Sequence, residues 1–222
     1  MNDSLHVNHV CFDLDGTIID SYNTIYKTTV KTLKILKISG PLPENEFYKR
    51  IGHHFIDIFR EMNVHVPNFE EFIEVYKEHY FDFIDDSKIF KGVIDTLEFL
   101  NKNNILVSLL TTKMQSQADK IIDHFNLRNH FSFVMGRREG IANKPSGEPL
   151  LFICDALNVI PENTLMVGDT ELDIQCGKNA GAQTCAALYG YRTRKTMEAE
   201  NPTYLISNIM ELQNIINRTF IS

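Results

Sequence analysis

The feature that most constrains the fold is a series of short, continuous apolar runs separated by segments with helical periodicity. The runs cover residues 7–13, 105–112, 131–135, 164–169 and 182–188. Apolar runs of this length that alternate with helical patterns are typical of βα units built around a parallel sheet. Apolar residues at helical spacing predict the intervening helices at 93–104, 115–126 and 147–157. The predicted fold class is therefore α/β, with a central parallel sheet between layers of helices.

Residues 22–86 follow a different pattern. They form long amphipathic helical stretches with no convincing strand between them, interrupted around Gly40 to Pro43 and at Pro67. This pattern predicts a small all-helical domain inserted after the first strand. We place the α/β core at residues 1–20 and 87–222 and the helical domain at residues 21–86.

Composition excludes several classes of protein. The 222 residues carry a formal net charge of −7, which disfavours a nucleic-acid binder because such proteins usually present a basic patch. The chain has no apolar stretch of about 18 residues and no basic, apolar leader at its start, so we expect a cytoplasmic protein without membrane partners. The four cysteines show no CxxC spacing and are predicted to be buried free thiols.

Polar residues follow four of the predicted strands. The first strand runs into Asp13-Leu14-Asp15-Gly16-Thr17, the second into Thr111-Thr112-Lys113, and the fourth into Gly168-Asp169 and then Asp173. Lys144 lies in the loop after the third strand. Because ligands of open α/β sheets bind at the carboxyl ends of the strands, we expect these side chains to converge.

Such a convergence predicts phosphoryl chemistry. Several carboxylates can stay ionised close together only if a cation binds them, and oxygen ligands favour a hard cation such as Mg²⁺. A lysine and a hydroxyl beside the metal would bind an anion. A carboxylate nucleophile would then form an aspartyl-phosphate intermediate.

These motifs, in this order, resemble the four motifs of the haloacid dehalogenase superfamily, and the insert resembles its small helical cap. Ile51-Gly52, Gly92-Val93, Tyr189-Gly190-Tyr191 and Asn201-Pro202 are most similar to the phosphoglycolate phosphatase branch. The resemblance covers nearly the whole chain and implies a Rossmann-like three-layer core. It also implies a Mg²⁺-dependent phosphatase that hydrolyses a small phosphomonoester, acting as a monomer or homodimer.

The resemblance also implies a role for each matching residue. Asp13 would attack phosphorus, and Asp15 would act as acid and then base. Thr111 and Lys144 would bind the phosphoryl group. The metal ligands would be Asp13, the backbone carbonyl of Asp15, and Asp169, supported by Asp173. Further substrate contacts are expected from Gly16, Thr17, Thr112, His53 and Arg50.

Other functions remain open from the sequence. Asp15 argues against a dehalogenase, which lacks an acid at that position, and His53-His54-Phe55 after Gly52 weaken a sugar phosphomutase. An inorganic pyrophosphatase or a 5′-nucleotidase with a similar cap remains possible. The non-enzyme alternative is a phospho-receiver module, although such modules are about half as long and lack the helical insert. The physiological substrate, the choice between Thr111 and Thr112, and the roles of His53, His54 and Arg50 are not decided by the sequence.

Overall fold

The computed structural model describes residues 7–220, with side chains described to residue 217. Residues 1–6 and 221–222 lie outside the described residues. The prediction of no leader at the start of the chain falls partly on residues 1–6. None of the helices in the described part of the chain is long and apolar enough to span a membrane.

The described residues form eight strands: β1 (His9–Phe12), β2 (Ile19–Asp20), β3 (Lys88–Ile89), β4 (Leu106–Met114), β5 (Phe133–Arg137), β6 (Thr164–Gly168), β7 (Gln183–Ala187) and β8 (Tyr204–Ile206). Six of them form a parallel sheet in the order β5-β4-β1-β6-β7-β8. β2 and β3 form a separate two-stranded sheet. The predicted α/β class, with a central parallel sheet flanked by helices, is confirmed.

The same part of the chain contains ten α-helices: α1 (Tyr22–Ile35), α2 (Glu44–Tyr48), α3 (Phe55–Glu61), α4 (Phe69–Tyr80), α5 (Val93–Lys102), α6 (Gln115–His124), α7 (Glu148–Leu157), α8 (Glu171–Asn179), α9 (Arg194–Ala199) and α10 (Glu211–Phe220). A core cluster joins the sheet to α7 and α8: Cys11 from β1, Leu110 from β4 and Met166 from β6 pack with Leu150, Ile153 and Cys176. All four cysteines are free and buried, as predicted.

The sheet differs from its prediction at two places. β4 continues two residues past the predicted end, because its register against β5 shifts between Leu110 and Met114. Gly136 makes room for this irregular end, since a Cβ there would lie 2.6 Å from the backbone of Gln115. β8 was not predicted, because its apolar run, Tyr204 to Ile206, is only three residues long.

The chain folds into two compact units, one of them Ile19–Lys88 and the other made of the described residues before and after it. The unit Ile19–Lys88 contains α1 to α4 and has its own aromatic core, in which Phe55 and Phe59 each pack against Phe72 with ring centroids 5.1 and 5.0 Å apart. Asn68 caps α4 by accepting hydrogen bonds from the backbone N–H groups of Glu70 and Glu71. This unit is therefore stabilised by its own packing.

A buried histidine links the three central strands. His9 of β1 is fully buried, with Nδ1 3.0 Å from Thr164 Oγ1 and Nε2 2.8 Å from Ser108 Oγ. Burial lowers the pKa of His9 from 6.5 to about 4. Burial is the cause of this shift, because each hydroxyl can either donate to a ring nitrogen or accept from one and so is compatible with both charge states of the ring.

We predict that His9 destabilises the fold as the pH falls from about 6.5 to about 4. In this window the unfolded chain gains a proton on His9 that the folded chain excludes, at a cost of roughly 3 kcal/mol over the whole interval. His9→Asn has no group that titrates in this window. Its free energy of unfolding should therefore decrease less steeply than that of the wild type as the pH is lowered. Urea titrations at pH 7, 5.5 and 4.5 measure both slopes, and parallel slopes would contradict the prediction.

Candidate active site

The site is centred on the carboxylate that follows β1. Asp13 is 6% exposed, and its backbone N–H donates to Val167 O of the neighbouring strand β6, which fixes its position. Lys144 Nζ lies 2.6 Å from Asp13 Oδ1 and 2.5 Å from Asp173 Oδ1, and it also donates to Leu110 O. One buried ammonium therefore joins residues from three separate segments of the core.

The loop that carries Lys144 is held by close backbone packing. Asn179 donates from its side chain to Pro145 O at 2.9 Å. A Cβ on Gly147 would lie 2.5 Å from the backbone of Asn179 and Ala180, so glycine allows the start of α7 to approach the end of α8. This packing explains why a glycine stands between Lys144 and the start of α7.

Asp169 and Asp173 come from the junction of β6 and α8. Asp173, in the first turn of α8, accepts through Oδ2 from the backbone N–H and the hydroxyl of Thr170. Asp169 lies before the helix and accepts from Tyr191 N at 2.7 Å and from Thr17 Oγ1 at 3.3 Å. Both carboxylates are completely buried and held in fixed orientations.

These carboxylates fit a divalent cation. Single oxygens of Asp13, Asp169 and Asp173 all lie within 4.8 Å of one another. Burial, followed by the neighbouring carboxylates, raises the pKa of Asp13 to about 7 against the opposing effect of Lys144, and burial with Asp13 and Asp173 raises that of Asp169 well above its usual range. Oxygen-only ligands whose charges repel one another are the donor set of Mg²⁺ rather than of a soft metal.

The charge of Lys144 is secured by the same cluster. Burial alone would lower the pKa of its ammonium, but Asp13 and Asp173 outweigh that effect and raise it. Lys144 therefore remains a cation at neutral pH. When Asp13, Asp169 and Asp173 are all ionised, they exceed the ammonium of Lys144 by two negative charges, which one divalent ion would balance.

Glycines let the backbone approach the carboxylates. A Cβ on Gly16, whose φ is +88°, would lie 2.3 Å from Asp169 Oδ2, and one on Gly190 would lie 2.2 Å from Asp169 Cβ. A Cβ on Gly168 would overlap the side chain of Asp173 in the same way. The Gly16 and Gly190 positions therefore serve to seat Asp169 rather than only to form turns.

Asp15 has a cation of its own. Lys113 Nζ lies 3.1 Å from Asp15 Oδ2, with the two side chains only 9% and 11% exposed. The backbone N–H of Lys113 donates to Thr111 Oγ1 at 3.2 Å, and Thr111 is itself buried. Sequence reasoning found the Thr111-Thr112-Lys113 strand end but gave Lys113 no role. Strand alternation could not assign this partner, because β4 departs from regular pairing with β5 between Leu110 and Met114.

The remaining predicted residues lie in less decisive surroundings. Thr111 and Thr112 both line a small cavity with Lys144 and Arg137, and Thr112 is the more exposed of the two threonines. In the helical unit, the Arg50 guanidinium is paired with Glu46 and Glu61 at 3.0 and 2.9 Å. Arg50 thus has a structural partner on either side. His53, half-buried at the end of the same turn, keeps its predicted substrate role as a prediction.

The comparisons with known proteins decide the family. A family model described as haloacid dehalogenase-like hydrolase matches residues 10–187. The chain belongs to this family. The resemblance found in the sequence is thereby confirmed, and the chain is a phosphatase of the family.

Relatives extend over almost the whole chain. It is 32% identical to a phosphoglycolate phosphatase of Aquifex aeolicus, with 94% of this chain and 96% of the relative covered. It is 28% identical to the pyrophosphatase PpaX of Halalkalibacterium halodurans, with 96% and 98% covered. Among solved structures, a haloacid dehalogenase-like hydrolase from Streptococcus pneumoniae superposes with a TM-score of 0.84 at 22% identity, covering 94% of this chain and 98% of that one, which shows the shared fold.

We predict that Gly16→Ala lowers phosphatase activity about a hundredfold. The added methyl group would collide with Asp169, and displacement of a catalytic group by about 1 Å can cost that much in rate. The matched control is Gly140→Ala. Gly140 also has a positive φ, +77°, but none of the described atoms beyond its chain neighbours lies within 4 Å of an added Cβ.

Both variants should lose about 1 kcal/mol of unfolding free energy through backbone strain. Only Gly16→Ala should lose activity in an assay with p-nitrophenyl phosphate. Equal activities of the two variants would contradict the idea that Gly16 seats Asp169.

Proposed function

We propose that this protein is a Mg²⁺-dependent phosphatase that hydrolyses small phosphomonoesters through an aspartyl-phosphate on Asp13. The observation that carries the proposal is the buried arrangement of Asp13, Lys144 and Asp173, with Asp169 completing the oxygen cluster. A carboxylate can attack a phosphate dianion only if the repulsion between the two is offset, and Lys144 lies where it would do this.

In the first step, Asp13 attacks phosphorus and the bond to the leaving-group oxygen breaks. Asp15 gives that oxygen a proton, so the alcohol departs neutral. In the second step, Asp15 takes a proton from water as the water attacks the phosphorus of the aspartyl-phosphate. Inorganic phosphate leaves and both carboxyl groups return to their starting states. Thr111 is proposed to hydrogen-bond a phosphoryl oxygen throughout.

Mg²⁺ would be held by Asp13, Asp169 and the backbone carbonyl of Asp15. When bound it would neutralise charge on the phosphoryl oxygens. Asp173 already accepts hydrogen bonds from Lys144 and Thr170 through both oxygens, so its proposed role is to orient Lys144 beside the metal ligands. Gly16 and Thr17 are proposed to contact the phosphate group of the substrate. They lie in the segment after β1 that contacts Asp169.

The proposed substrate is phosphoglycolate or a closely similar small ester, since the Aquifex aeolicus relative is named a phosphoglycolate phosphatase. Pyrophosphate is the second candidate, because another relative covered over nearly its full length is named a pyrophosphatase. We propose that the helical unit, including Arg50 and His53, contributes to this selectivity. The protein is proposed to act in the cytoplasm, as a monomer or homodimer.

We predict that Asp13→Asn lowers kcat for p-nitrophenyl phosphate by at least about a thousandfold, because an amide is a poor nucleophile toward phosphorus. EDTA should abolish wild-type activity, and excess Mg²⁺ should restore it. Asp155→Asn, which alters an exposed carboxylate of α7, is the control and should retain full activity. Activity that persists in both Asp13→Asn and EDTA would overturn the proposed mechanism.

We also predict a burst with Asp15→Asn. p-Nitrophenolate leaves without a proton, so the first step should continue, whereas the second step lacks its base. Stopped-flow absorbance should show about one p-nitrophenolate released per enzyme, followed by a slow steady rate. A linear trace at the wild-type rate would show that Asp15 has no part in the hydrolysis of the intermediate.

A further inference from the structure

An ion pair that the proposed mechanism does not use lies beside the carboxylate cluster. Arg192 Nε lies 2.8 Å from Glu171 Oε2, and Nη2 of the same guanidinium lies 3.5 Å from Glu171 Oε1. The two side chains are only 6% and 21% exposed. Glu171 is the first residue of α8, whereas Arg192 follows β7. The pair therefore joins two segments that are 21 residues apart in the chain.

Both of these segments contact or carry Asp169. Glu171 stands two residues after Asp169, at the junction of β6 and α8. From the other segment, the Tyr191 N–H donates to Asp169 Oδ2 at 2.7 Å, and a Cβ on Gly190 would lie 2.2 Å from Asp169 Cβ. Arg192 is the next residue of that segment. Its ion pair with Glu171 therefore ties the loop that supplies the Tyr191 N–H to the loop that carries Asp169.

Stability alone does not account for this pair. The cost of removing two charges from water offsets most of their attraction, so a buried ion pair contributes little net stability. Arg192 Nη1 is also buried, and it has no hydrogen-bond partner among the described residues. A buried donor without a partner is unfavourable. The pair is better explained by the orientation that it imposes on the groups around it.

We propose that Arg192 is a positioning residue for the metal ligand Asp169. Through Glu171 it holds residues 190–192 against the junction of β6 and α8. The Tyr191 N–H then stays bonded to one oxygen of Asp169, and the carboxylate keeps a single orientation toward Mg²⁺. Arg192 itself carries no step of the reaction. The inference rests on the proposed function, because it assigns a further residue to the metal site of that function.

The test measures the affinity of the full-length protein for Mn²⁺, which takes the same oxygen ligands as Mg²⁺ and whose free ion is counted by its EPR signal. Arg192→Met should raise the Mn²⁺ dissociation constant by roughly ten- to a hundredfold, the range expected when the group that orients a metal ligand is lost. The Mg²⁺ concentration that gives half-maximal hydrolysis of p-nitrophenyl phosphate should rise by a similar factor.

The direction of the change separates positioning from charge. Arg192 repels a divalent cation, so its loss would tighten Mn²⁺ binding if its charge were its only influence. Burial raises the pKa of Asp169, and the charge of Arg192 opposes that rise. A divalent ion nevertheless feels this charge twice as strongly as a single proton does, so charge alone still predicts tighter binding. Weaker binding is therefore specific to positioning.

A double variant, Arg192→Met with Glu171→Gln, removes both charges and leaves neither of them buried without its partner. It should also weaken Mn²⁺ binding, and it serves as the test if urea titration shows that Arg192→Met does not fold. Arg194→Met is the matched control. Arg194 pairs with Glu198 on α9 at 3.1 Å, but these side chains are 59% and 49% exposed, so this variant should bind Mn²⁺ as the wild type does.

Unchanged or tighter Mn²⁺ binding in either folded variant would overturn the inference, because the pair would then have no part in orienting Asp169. That result would leave the proposed function intact, provided that the wild type binds Mn²⁺ and needs a divalent ion to hydrolyse p-nitrophenyl phosphate. A wild type that binds no divalent ion and needs none for hydrolysis would instead contradict the proposed function itself.

Discussion

The site depends on one buried cation, Lys144, which lies between Asp13 and Asp173. Burial, followed by the charges of Asp173 and Asp15, raises the pKa of Asp13 to about 7 against the opposing effect of this lysine. Removing the Lys144 ammonium would leave the buried carboxylates of Asp13 and Asp173 without their cation. The cost of that loss is far larger than the net stability that the ion pairs contribute. The position of Lys144 thus decides whether Asp13 can be an anion at all.

The surrounding fold is arranged to hold these charges at fixed distances. Asp13 and Asp169 follow neighbouring parallel strands, so backbone hydrogen bonds set their separation. Asp173 is oriented by the first turn of α8, and glycines at 16, 168 and 190 leave space that a methyl group would fill. A site assembled this way needs little rearrangement when charge develops, which is the property that electrostatic catalysis requires.

The sequence predicted the parts of this arrangement that depend on strand order and not on side-chain packing. Apolar runs that end in Asp13, Thr111 or Asp169 indicate strands, and their alternation with helical segments predicted the α/β class. The polar residues at their ends also indicated the edge of the sheet where a ligand would bind. The partner of Asp15 could not be read, because it depends on where β4 departs from regular pairing with β5. β8 was missed because an apolar run of three residues, Tyr204 to Ile206, is too short to predict a strand. The helical unit was visible as amphipathic periodicity, but its substrate contacts depend on side-chain positions that periodicity does not encode.

Asp13 is the covalent nucleophile of the proposed mechanism, and the most direct measurement looks for its bond to phosphorus. Wild-type enzyme is mixed with substrate and Mg²⁺, quenched during turnover and treated with borohydride, which reduces an aspartyl-phosphate to homoserine. Peptide mass spectrometry should find homoserine at position 13 only, in an amount that increases in Asp15→Asn. An unmodified Asp13 in that variant, under conditions where it is still turning over substrate, would contradict the covalent mechanism.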